Sequence, residues 1–544
     1  MKHGIALIFL GLSFILFAGN AEAGKLNENY NRNALYECVK WDVVDVSFKV
    51  KIKLDKPFDA VFGVKATMPD GGIISIPGFY NGNNNYIIRI NPGEIGKWNF
   101  LTYSDFKELT GLQFGINVGK ITDAVQHGPV VLSQTHPGKF EYADGKPYFL
   151  QAYELDWLFA LDADNPGGIP KTKMLIDTIS SYGFNQIIMN VYAYDVDWKK
   201  DPTLKKEYDY GSPDVYPFGG TNSKPDFSTL NTTFFRRLDR VIEYLHEKNI
   251  IAHLMIYVWN KEVNWPPMYS KADNMYFEYV IKRYQGYPNI IWDIAKEALS
   301  YGRCDMNYIS DRISRVRKLD AYKRLLTVHD YRYCENFPDK VDFISIQYWG
   351  TDLYDKMLSL KENYKDKPVF NIEHGGYERG LYDVFDGDYT DPAACLKRNY
   401  LCAFAGTYST YYWQNTAWYV VIPDPMSLSV RYRPHYKYYK FFTGFLSKYD
   451  FENLVPVSNV SSSGLCLGDT TDSTFLFFIP KDNSGISITL NKYAGRNAAL
   501  KLFDPLEGKY EDLPEIKFGG WHRMSIPGKD SFRVLVMKIY PANK

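Results

Sequence analysis

The sequence is poor in cysteine and carries no excess of charge of either sign. Six cysteines in 544 residues are too few for a disulfide scaffold, and their spacing is not that of a metal site. The 63 basic and 63 acidic residues cancel, so nothing indicates binding to nucleic acid or to an anionic membrane surface. The phosphate-binding Gly-rich loop, the Gly-x-Ser-x-Gly elbow and the His-Glu-x-x-His motif are all missing. We therefore expect neither a cofactor nor a metal.

The N-terminus is the one place where a long apolar run occurs. Lys2 and His3 precede the run from Ile5 to Phe17, and Ala21-Glu-Ala23 resembles a small-residue cleavage site. A transmembrane anchor is the alternative, but the run is short and lacks a basic flank. We predict a signal peptide over residues 1–23, cleaved near Ala23, and an exported protein without a membrane-inserted segment.

Aromatic residues are abundant, at 17% of the chain with 45 Tyr and 11 Trp. Aromatic rings stack on the C–H faces of sugars, so this composition suits a carbohydrate-binding protein, although tyrosine-rich β-structure explains it equally well. The cysteines give two further expectations. Cys304 and Cys334 follow neighbouring predicted strands and could pair, and Cys395 and Cys402 lie on one predicted helix face as buried thiols.

Three segments with different patterns divide the chain. Residues 24–125 alternate apolar and polar positions between turn residues, as in Val43–Leu54, and predict an N-terminal β-sandwich. Residues 126–450 alternate strand and helix, which predicts a parallel sheet. Residues 451–544 return to short strands, such as Thr474–Ile479, and predict a second β-sandwich.

The middle segment contains eight predicted strands and favours a (β/α)8 barrel over a doubly wound open sheet, because no Gly-rich fingerprint supports the latter. The predicted strands cover residues 148–156, 186–194, 250–259, 289–297, 325–330, 343–349, 368–374 and 406–413. Asn231 is the predicted N-cap of a helix that follows it. The long stretch Trp198–Ser228 is predicted to be a loop on the barrel's top face.

Two of these strands end in a glutamate. Asn289–Glu297 and Lys367–Glu373 are apolar runs that leave a carboxylate where the strand ends. In a (β/α)8 barrel the chemistry takes place at these carboxyl ends. Glycoside hydrolysis needs two carboxyl groups, one to protonate the leaving oxygen and one to attack the sugar or activate water. The pair therefore predicts a glycosidase.

Several motifs resemble the bacterial apiosidase-like glycoside hydrolases. They include Pro77-Gly-Phe-Tyr80 and Gly96-Lys-Trp98 in the N-terminal segment, His127-Gly-Pro129 and Phe140–Phe149 at the barrel entry, and the two glutamate strands. Asp504-Pro505 resembles the signature of that family's C-terminal module. The resemblance implies a retaining mechanism with Glu297 as acid/base and Glu373 as nucleophile. It also implies a plant-type polysaccharide or oligosaccharide as substrate, with pectic side chains among the candidates.

Position at strand ends gives the candidate substrate-binding residues. Aromatic and amide groups at a barrel mouth can stack on a sugar ring and bind its hydroxyls. Glu154 competes with Asp156 for one of these roles, and Glu378 is a rival to Glu373. The candidates are Asp156, Trp157, Asn190, Tyr192, Trp259, Lys296, His329, Tyr348, Trp349 and Trp413.

Lys296 departs from the family pattern, because the retaining clan has Asn before its acid/base. The lysine could bind a sugar hydroxyl, lower the pKa of Glu297 or pair with Asp293. A depressed pKa would suit a general acid poorly. The rival to the glycosidase hypothesis is a non-catalytic glycan-binding protein on the same barrel, and the oligomeric state is left open.

Overall fold

A computed structural model of the protein describes residues 25–121, 126–165, 167–385, 391–469, 471–526 and 531–540. The predicted signal peptide lies outside the described residues. No helix in the described part of the chain is both long enough and apolar enough to cross a membrane.

The N-terminal region is a β-sandwich, as predicted. One sheet has the order β1-β3-β7-β6 and the other β2-β9-β8-β4-β5. Their facing side chains, such as Val46, Val64 and Trp98, form a separate core. The strands are β1 (Lys25–Asn29), β2 (Leu35–Val39), β3 (Val43–Lys49), β4 (Phe62–Thr67), β5 (Ile73–Pro77), β6 (Phe79–Tyr80), β7 (Asn85–Ile90), β8 (Gly96–Ser104) and β9 (Gln113–Gly119). The hairpin of β10 (Val130–Leu132) and β11 (Phe140–Tyr142) leads to the central region.

The central region is a nearly closed barrel of parallel strands, so the predicted fold is confirmed. In chain order it contains β12 (Gln151–Glu154), α1 (Pro170–Ser180), β13 (Gln186–Asn190), the hairpin β14 (Phe218–Thr221) and β15 (Lys224–Leu230), α2 (Thr232–Glu247), β16 (Ile251–Val258), α3 (Lys271–Tyr284), β17 (Ile290–Lys296), α4 (Met306–Leu319), β18 (Leu326–His329), α5 (Tyr331–Asn336), β19 (Ile344–Gln347), α6 (Leu353–Asn363), β20 (Val369–Glu373), β21 (Tyr377–Glu378), α7 (Pro392–Phe404), β22 (Tyr408–Trp413) and α8 (Tyr436–Lys448).

Strand order and local signals agree with the sequence-based expectations. The barrel sheet runs β18-β17-β16-β13-β12-β22-β20-β19, and Thr327 Oγ1 donates to Ser345 Oγ at 3.0 Å where its two edges meet. The side chain of Asn231 caps α2 by accepting from the backbone of Thr233 and Phe234. The Trp198–Ser228 stretch differs in part from the prediction, because its end folds into the β14–β15 hairpin.

The C-terminal region is built from antiparallel sheets, whereas the N-terminal sheets also contain the parallel pairs β1–β3 and β2–β9. A sheet of order β23-β24-β25-β30-β27-β28 packs with the pair β26-β29 around its own core. The strands are β23 (Val455–Pro456), β24 (Cys466–Asp469), β25 (Thr474–Ile479), β26 (Gly485–Thr489), β27 (Arg496–Asp504), β28 (Lys509–Phe518), β29 (Trp521–Ser525) and β30 (Arg533–Ile539).

The cysteines correct one expectation. All six lie within the described residues and none forms a disulfide, so Cys304 and Cys334 do not pair. Cys304 donates to the carbonyl of Ala298 and Cys334 to that of Val328, so each of these two thiols binds a backbone carbonyl six residues earlier. Cys395 and Cys402 are buried on α7, as expected.

Candidate active site

The carboxyl ends of three barrel strands bring a lysine together with two glutamates. Glu154 ends β12, Lys296 ends β17 and Glu373 ends β20. Lys296 Nζ lies 3.0 Å from Glu373 Oε1 and forms a direct ion pair with Glu154 Oε1. Asp156, two residues beyond β12, lies 3.8 Å from the same ammonium group. All four side chains are buried.

Lys296 therefore binds neighbouring carboxylates instead of Asp293. Burial would lower the pKa of Lys296, but the charges of Asp156, Glu154 and Glu373 outweigh it and raise that pKa well above its ordinary value. Asp293 is bound elsewhere, with Oδ2 3.1 Å from His253 Nε2. Of the three alternatives for Lys296, pairing with Asp293 is wrong, because the lysine side chain extends across the barrel mouth toward β12 and β20.

Asp156 has a lysine of its own. Lys261 Nζ lies 3.1 Å from Asp156 Oδ2, and neither side chain is accessible to solvent. Asn190 Nδ2 donates to Asp156 Oδ1 at 3.2 Å, and the backbone N–H of Trp418 donates to Oδ2 at 3.2 Å. Burial opposes ionisation, but the two lysines lower the pKa of Asp156 below its ordinary value. Asp156 thus forms a fixed, ionised corner of the site.

Glu373 is held as a carboxylate by donors on several sides. Gln347 Nε2 donates to Glu373 Oε2 at 2.9 Å, and Tyr377 OH donates to the same oxygen at 3.0 Å. His329 Nε2 lies 3.7 Å from Oε1. Burial would raise the pKa of Glu373, but Lys296, His329 and these hydrogen bonds lower it. An ionised, positioned carboxylate is what a nucleophile requires.

Glu297 occupies a different environment, although it directly follows Lys296. Its backbone is left-handed, with φ of 48°, and its side chain is half-buried. Asn260 Nδ2 donates to Glu297 Oε2 at 2.8 Å. Left-handed φ in a non-glycine residue costs of order 1–3 kcal/mol and is concentrated at functional sites. Glu297 is thus bound by a different residue, Asn260, from the carboxylates that bind Lys296.

The rival carboxylate, Glu378, has a structural environment. It is 1% exposed and accepts hydrogen bonds from Tyr411 OH at 2.8 Å and from the backbone N–H of His435 at 2.8 Å. His435 Nδ1 lies 2.7 Å from the same carboxylate. These partners occupy both oxygens, which favours Glu373 as the reactive group.

Other predicted residues, at or just after strand ends, have buried polar atoms without a partner among the described residues. Such atoms are Trp157 Nε1, Asn190 Oδ1, His329 Nδ1 and Trp413 Nε1, and all four residues are buried. Buried polar groups are normally hydrogen-bonded. Groups that can bind hydroxyls are thus present where the β12, β13, β18 and β22 strands end. His329 is not a satisfied core histidine.

Tyr192 OH and Trp259 Nε1 also have no partner among the described residues, and both side chains pack on other aromatic rings. Tyr192 packs on Phe159 and Phe234, with ring centroids 5.4 and 6.0 Å away. Trp259 stacks on Tyr257 at 5.0 Å.

Tyr348 donates its hydroxyl to Asp352 at 2.5 Å, toward α6. Trp349 is 37% exposed and packs on Tyr377 at 5.4 Å, so it lies at the mouth. Substrate contacts by Tyr192, Trp259 and Tyr348 stay predictions.

Sequence reasoning passed over Lys261, Asn260, Tyr377 and Trp418 and left Glu154 as an alternative. Only Tyr377 carried a signal, because it follows Glu373 by four residues in a Gly-Gly-Tyr turn. Lys261, Asn260 and Trp418 lie in loops, and their contacts with Asp156 and Glu297 form only when those loops have folded. Among the described residues, no group of three or more His, Cys, Asp or Glu side chains is arranged to hold a metal ion.

The barrel, with one ionised and one half-exposed glutamate at the ends of β20 and β17, defines a glycoside hydrolase. Residues 136–439 match the family model for the apiosidase-like catalytic domain, so the chain belongs to that family. Residues 37–105 match a domain of unknown function, DUF5060. No curated protein matches the chain significantly.

Solved structures share the fold at low sequence identity. A presumed glycoside hydrolase of Bacteroides vulgatus is 20% identical, with a TM-score of 0.76 over 93% of this chain and 100% of that one. A family 5 glycoside hydrolase from the same species is 17% identical, with a TM-score of 0.56 over 76% of this chain and 94% of that one. The first match extends over nearly the whole chain, so its fold includes the flanking regions as well as the barrel.

Proposed function

We propose that this protein hydrolyses glycosidic bonds with retention of anomeric configuration, with Glu373 as nucleophile and Glu297 as acid/base. The observation that carries the proposal is the contrast between the two carboxyl groups. Glu373 is buried among Lys296, Gln347 and Tyr377, whereas Glu297 is half-exposed and bound by Asn260. Different environments for two carboxyls are how one site separates a nucleophile from an acid.

The chemistry follows from these positions. Glu297 donates its proton to the leaving oxygen while a Glu373 oxygen attacks the anomeric carbon, forming a glycosyl ester and releasing the leaving group. Water then gives a proton to Glu297 and attacks the same carbon, which restores the Glu373 carboxylate. Tyr377 and Lys296 keep the attacking carboxylate ionised and oriented between turnovers. No external oxidant or metal enters either step.

The substrate class and location belong to the same proposal. The apiosidase-like family membership supports a plant-type polysaccharide or its oligosaccharides as substrate. The N-terminal segment of the sequence supports export. Stacking and hydroxyl-binding groups, such as Trp157 and Trp413, are suited to a sugar ring.

The test combines product release with stereochemistry. The wild-type protein should release a defined sugar from one member of a panel of plant and microbial polysaccharides. Glu373→Gln should lose about 10³-fold or more in kcat with little loss of binding, because it removes the nucleophile and keeps the shape. Proton NMR in the first minutes of the reaction should show the retained anomer.

The matched control is Glu378→Gln, a second buried glutamate five residues further along the chain. Folded Glu378→Gln protein should keep wild-type turnover, since Tyr411 and His435, the partners of Glu378, are structural. Equal loss in both variants, or equal activity in wild type and Glu373→Gln, would contradict the assignment. Binding of one glycan without turnover would favour the glycan-binding protein instead.

A further inference from the structure

Two loops on one side of the barrel mouth are joined by backbone hydrogen bonds. The backbone N–H of Tyr210, in the loop after β13, donates to the carbonyl of Tyr419 at 2.8 Å. In return, Val421 N–H, in the loop after β22, donates to the carbonyl of Tyr208 at 2.9 Å. Strands β13 and β22 flank β12 in the sheet. The two loops therefore meet above the end of β12.

A third loop, which follows β21, is hydrogen-bonded to the loop after β22. Gln414 Nε2 donates to the carbonyl of Phe385 at 2.8 Å, and Asn415 Nδ2 donates to the carbonyl of Tyr382 at 2.7 Å. Tyr382 N–H returns a hydrogen bond to Asn415 Oδ1 at 2.9 Å. We call residues 194–216, 379–385 and 414–421 together the wall.

The wall has an aromatic inner layer that reaches the catalytic carboxylate. Trp198 lies 5.7 Å from Trp418 and 6.0 Å from Phe385, measured between ring centroids. Trp418 in turn lies 5.0 Å from Tyr377, whose hydroxyl binds Glu373. Each of the three loops contributes one ring of the Trp198–Phe385–Trp418 group. The wall is thus continuous from the mouth down to the nucleophile.

The side of the mouth beyond β17 is different. Glu297 is half-buried, and the three residues Tyr301, Gly302 and Arg303 that follow in its loop are exposed, Tyr301 by 50%. Lys296 and Glu373, by contrast, are 3% and 5% exposed. Glu297 follows β17, which lies across the barrel from β22 in the strand order, so the accessible catalytic group is on the side opposite the wall.

We propose that the wall makes the enzyme exo-acting, so that it removes one sugar at a time from the non-reducing end of a chain. This inference rests on the proposed roles of the two glutamates. The sugar attacked by Glu373 lies on the side of the wall, and the leaving group lies beside Glu297, which protonates it. Any further sugar at the non-reducing end would have to pass through the wall, whereas the leaving chain extends over the open side.

The experiment uses hexasaccharides of β-mannan, β-glucan, β-galactan and arabinan labelled at the reducing end with 2-aminobenzamide. The full-length protein should shorten its substrate stepwise, with the labelled pentasaccharide as the first product. Labelled di- and trisaccharides at the earliest times, while hexasaccharide remains, would overturn the inference and leave the glycosidase function standing. Absence of cleavage with all four, in wild type and Glu373→Gln alike, would overturn the glycosidase function itself.

Variants of the wall test whether it determines the exo mode of attack. Trp198→Ala combined with Phe385→Ala should raise the share of internally cleaved products about tenfold or more, because a steric barrier in a pocket discriminates by at least that factor. Trp521→Ala removes another exposed tryptophan, 58% accessible on β29 in the C-terminal region, and should leave the product pattern unchanged. An unchanged pattern in the double variant, with a wild-type melting temperature, would show that the wall does not set the mode of attack.

Discussion

The protein contains two buried clusters of ionisable side chains that are built in opposite ways. One, the site cluster, consists of Glu154, Asp156, Lys261, Lys296 and Glu373 at the barrel mouth. The other, the interface cluster, consists of Asp45 and Arg89 from the N-terminal sandwich and Asp239 and Arg283 from α2 and α3. Both are almost inaccessible to solvent, so burial alone does not separate a functional cluster from a structural one.

The interface cluster is balanced and fully bonded. Arg89 Nε and Nη2 each donate to an oxygen of Asp45 at 2.8 Å, and Arg283 Nε and Nη2 donate to Asp239 at 2.9 and 2.6 Å. Arg89 Nη1 also donates to the carbonyl of Arg283 at 2.8 Å, which ties the sandwich to the barrel. Two carboxylates face two guanidinium groups whose rigid forks match them.

The site cluster has one carboxyl group more than it has lysines. Lys261 pairs with Asp156, and Lys296 is shared between Glu154 and Glu373. Burial raises the pKa of Glu154 well above its ordinary value, and Lys296 offsets this only in part. Lysine is a point charge that can serve several partners, so this cluster can tolerate a change in charge during a reaction. Arg89 is also shared, between Asp45 and Asp239, so the comparison teaches that an excess of carboxyl groups over cations, and not a shared cation, marks the reactive cluster.

The largest expected effect comes from removing the shared cation. Lys296→Met should lower kcat/KM about 10²-fold or more, the scale of losing one electrostatic group in a buried site. Without the lysine the pKa of Glu373 rises, since Lys296 is the main group that lowers it. The acid limb of the pH–rate profile should therefore move to higher pH. Kinetics from acid to neutral pH measure both effects.

The control for this variant keeps the charge. Lys296→Arg should leave the acid limb in place even where its larger side chain reduces the rate. An acid limb that moves equally in both variants would mean that packing, and not charge, is what Lys296 supplies.

Breaking the interface cluster should affect stability and not chemistry. Arg89→Met leaves Asp45 buried without its main partner and should cost roughly 3–5 kcal/mol of unfolding free energy. Lys538→Met breaks an exposed ion pair with Asp472 and should cost less than about 1 kcal/mol. Urea unfolding measures both, and turnover per folded molecule should stay at the wild-type value. A loss of turnover in folded Arg89→Met would show that the interface positions the site.

How much of the structure the sequence could predict depends on whether a feature is defined within one strand or by contacts between distant segments. Apolar runs and turn residues define each barrel strand locally, so Ile290–Lys296 and Val369–Glu373 were found within one or two residues. Glu297 and Glu373 follow from strand ends in the same way. The Lys261–Asp156 pair and the wall depend on loops that meet only after folding. Three roles for Lys296 stayed open from the sequence, and pairing with Glu154 and Glu373 was not among them, because contacts between side chains of different barrel strands form only on folding.

The smallest expected effect, per pH unit, is on the free energy of unfolding: the contributions of the two clusters should change with pH in opposite directions. The pKa of Glu154 is raised in the folded protein, so its contribution to stability is present below its ordinary value of 4.5 and is lost as the pH rises above it. Glutamine does not titrate, so Glu154→Gln should not lose stability from this position as the pH rises above 4.5. The difference in unfolding free energy between the variant and wild type should therefore shift in favour of the variant, by at most ~1.4 kcal/mol per pH unit.

The contribution of Asp45 to stability should change with pH in the opposite direction. Burial opposes its ionisation, but Arg89 and Lys25 lower its pKa below the ordinary 3.8, so its contribution is present above that value and is lost in acid. The gap between wild type and Asp45→Asn should therefore narrow as the pH falls below 3.8. Urea unfolding of the three proteins between about pH 3 and 8 tests both signs. A gap between wild type and Glu154→Gln that does not change with pH would mean that Glu154 titrates alike in the folded and unfolded chain, and that the site cluster has no carboxyl in excess.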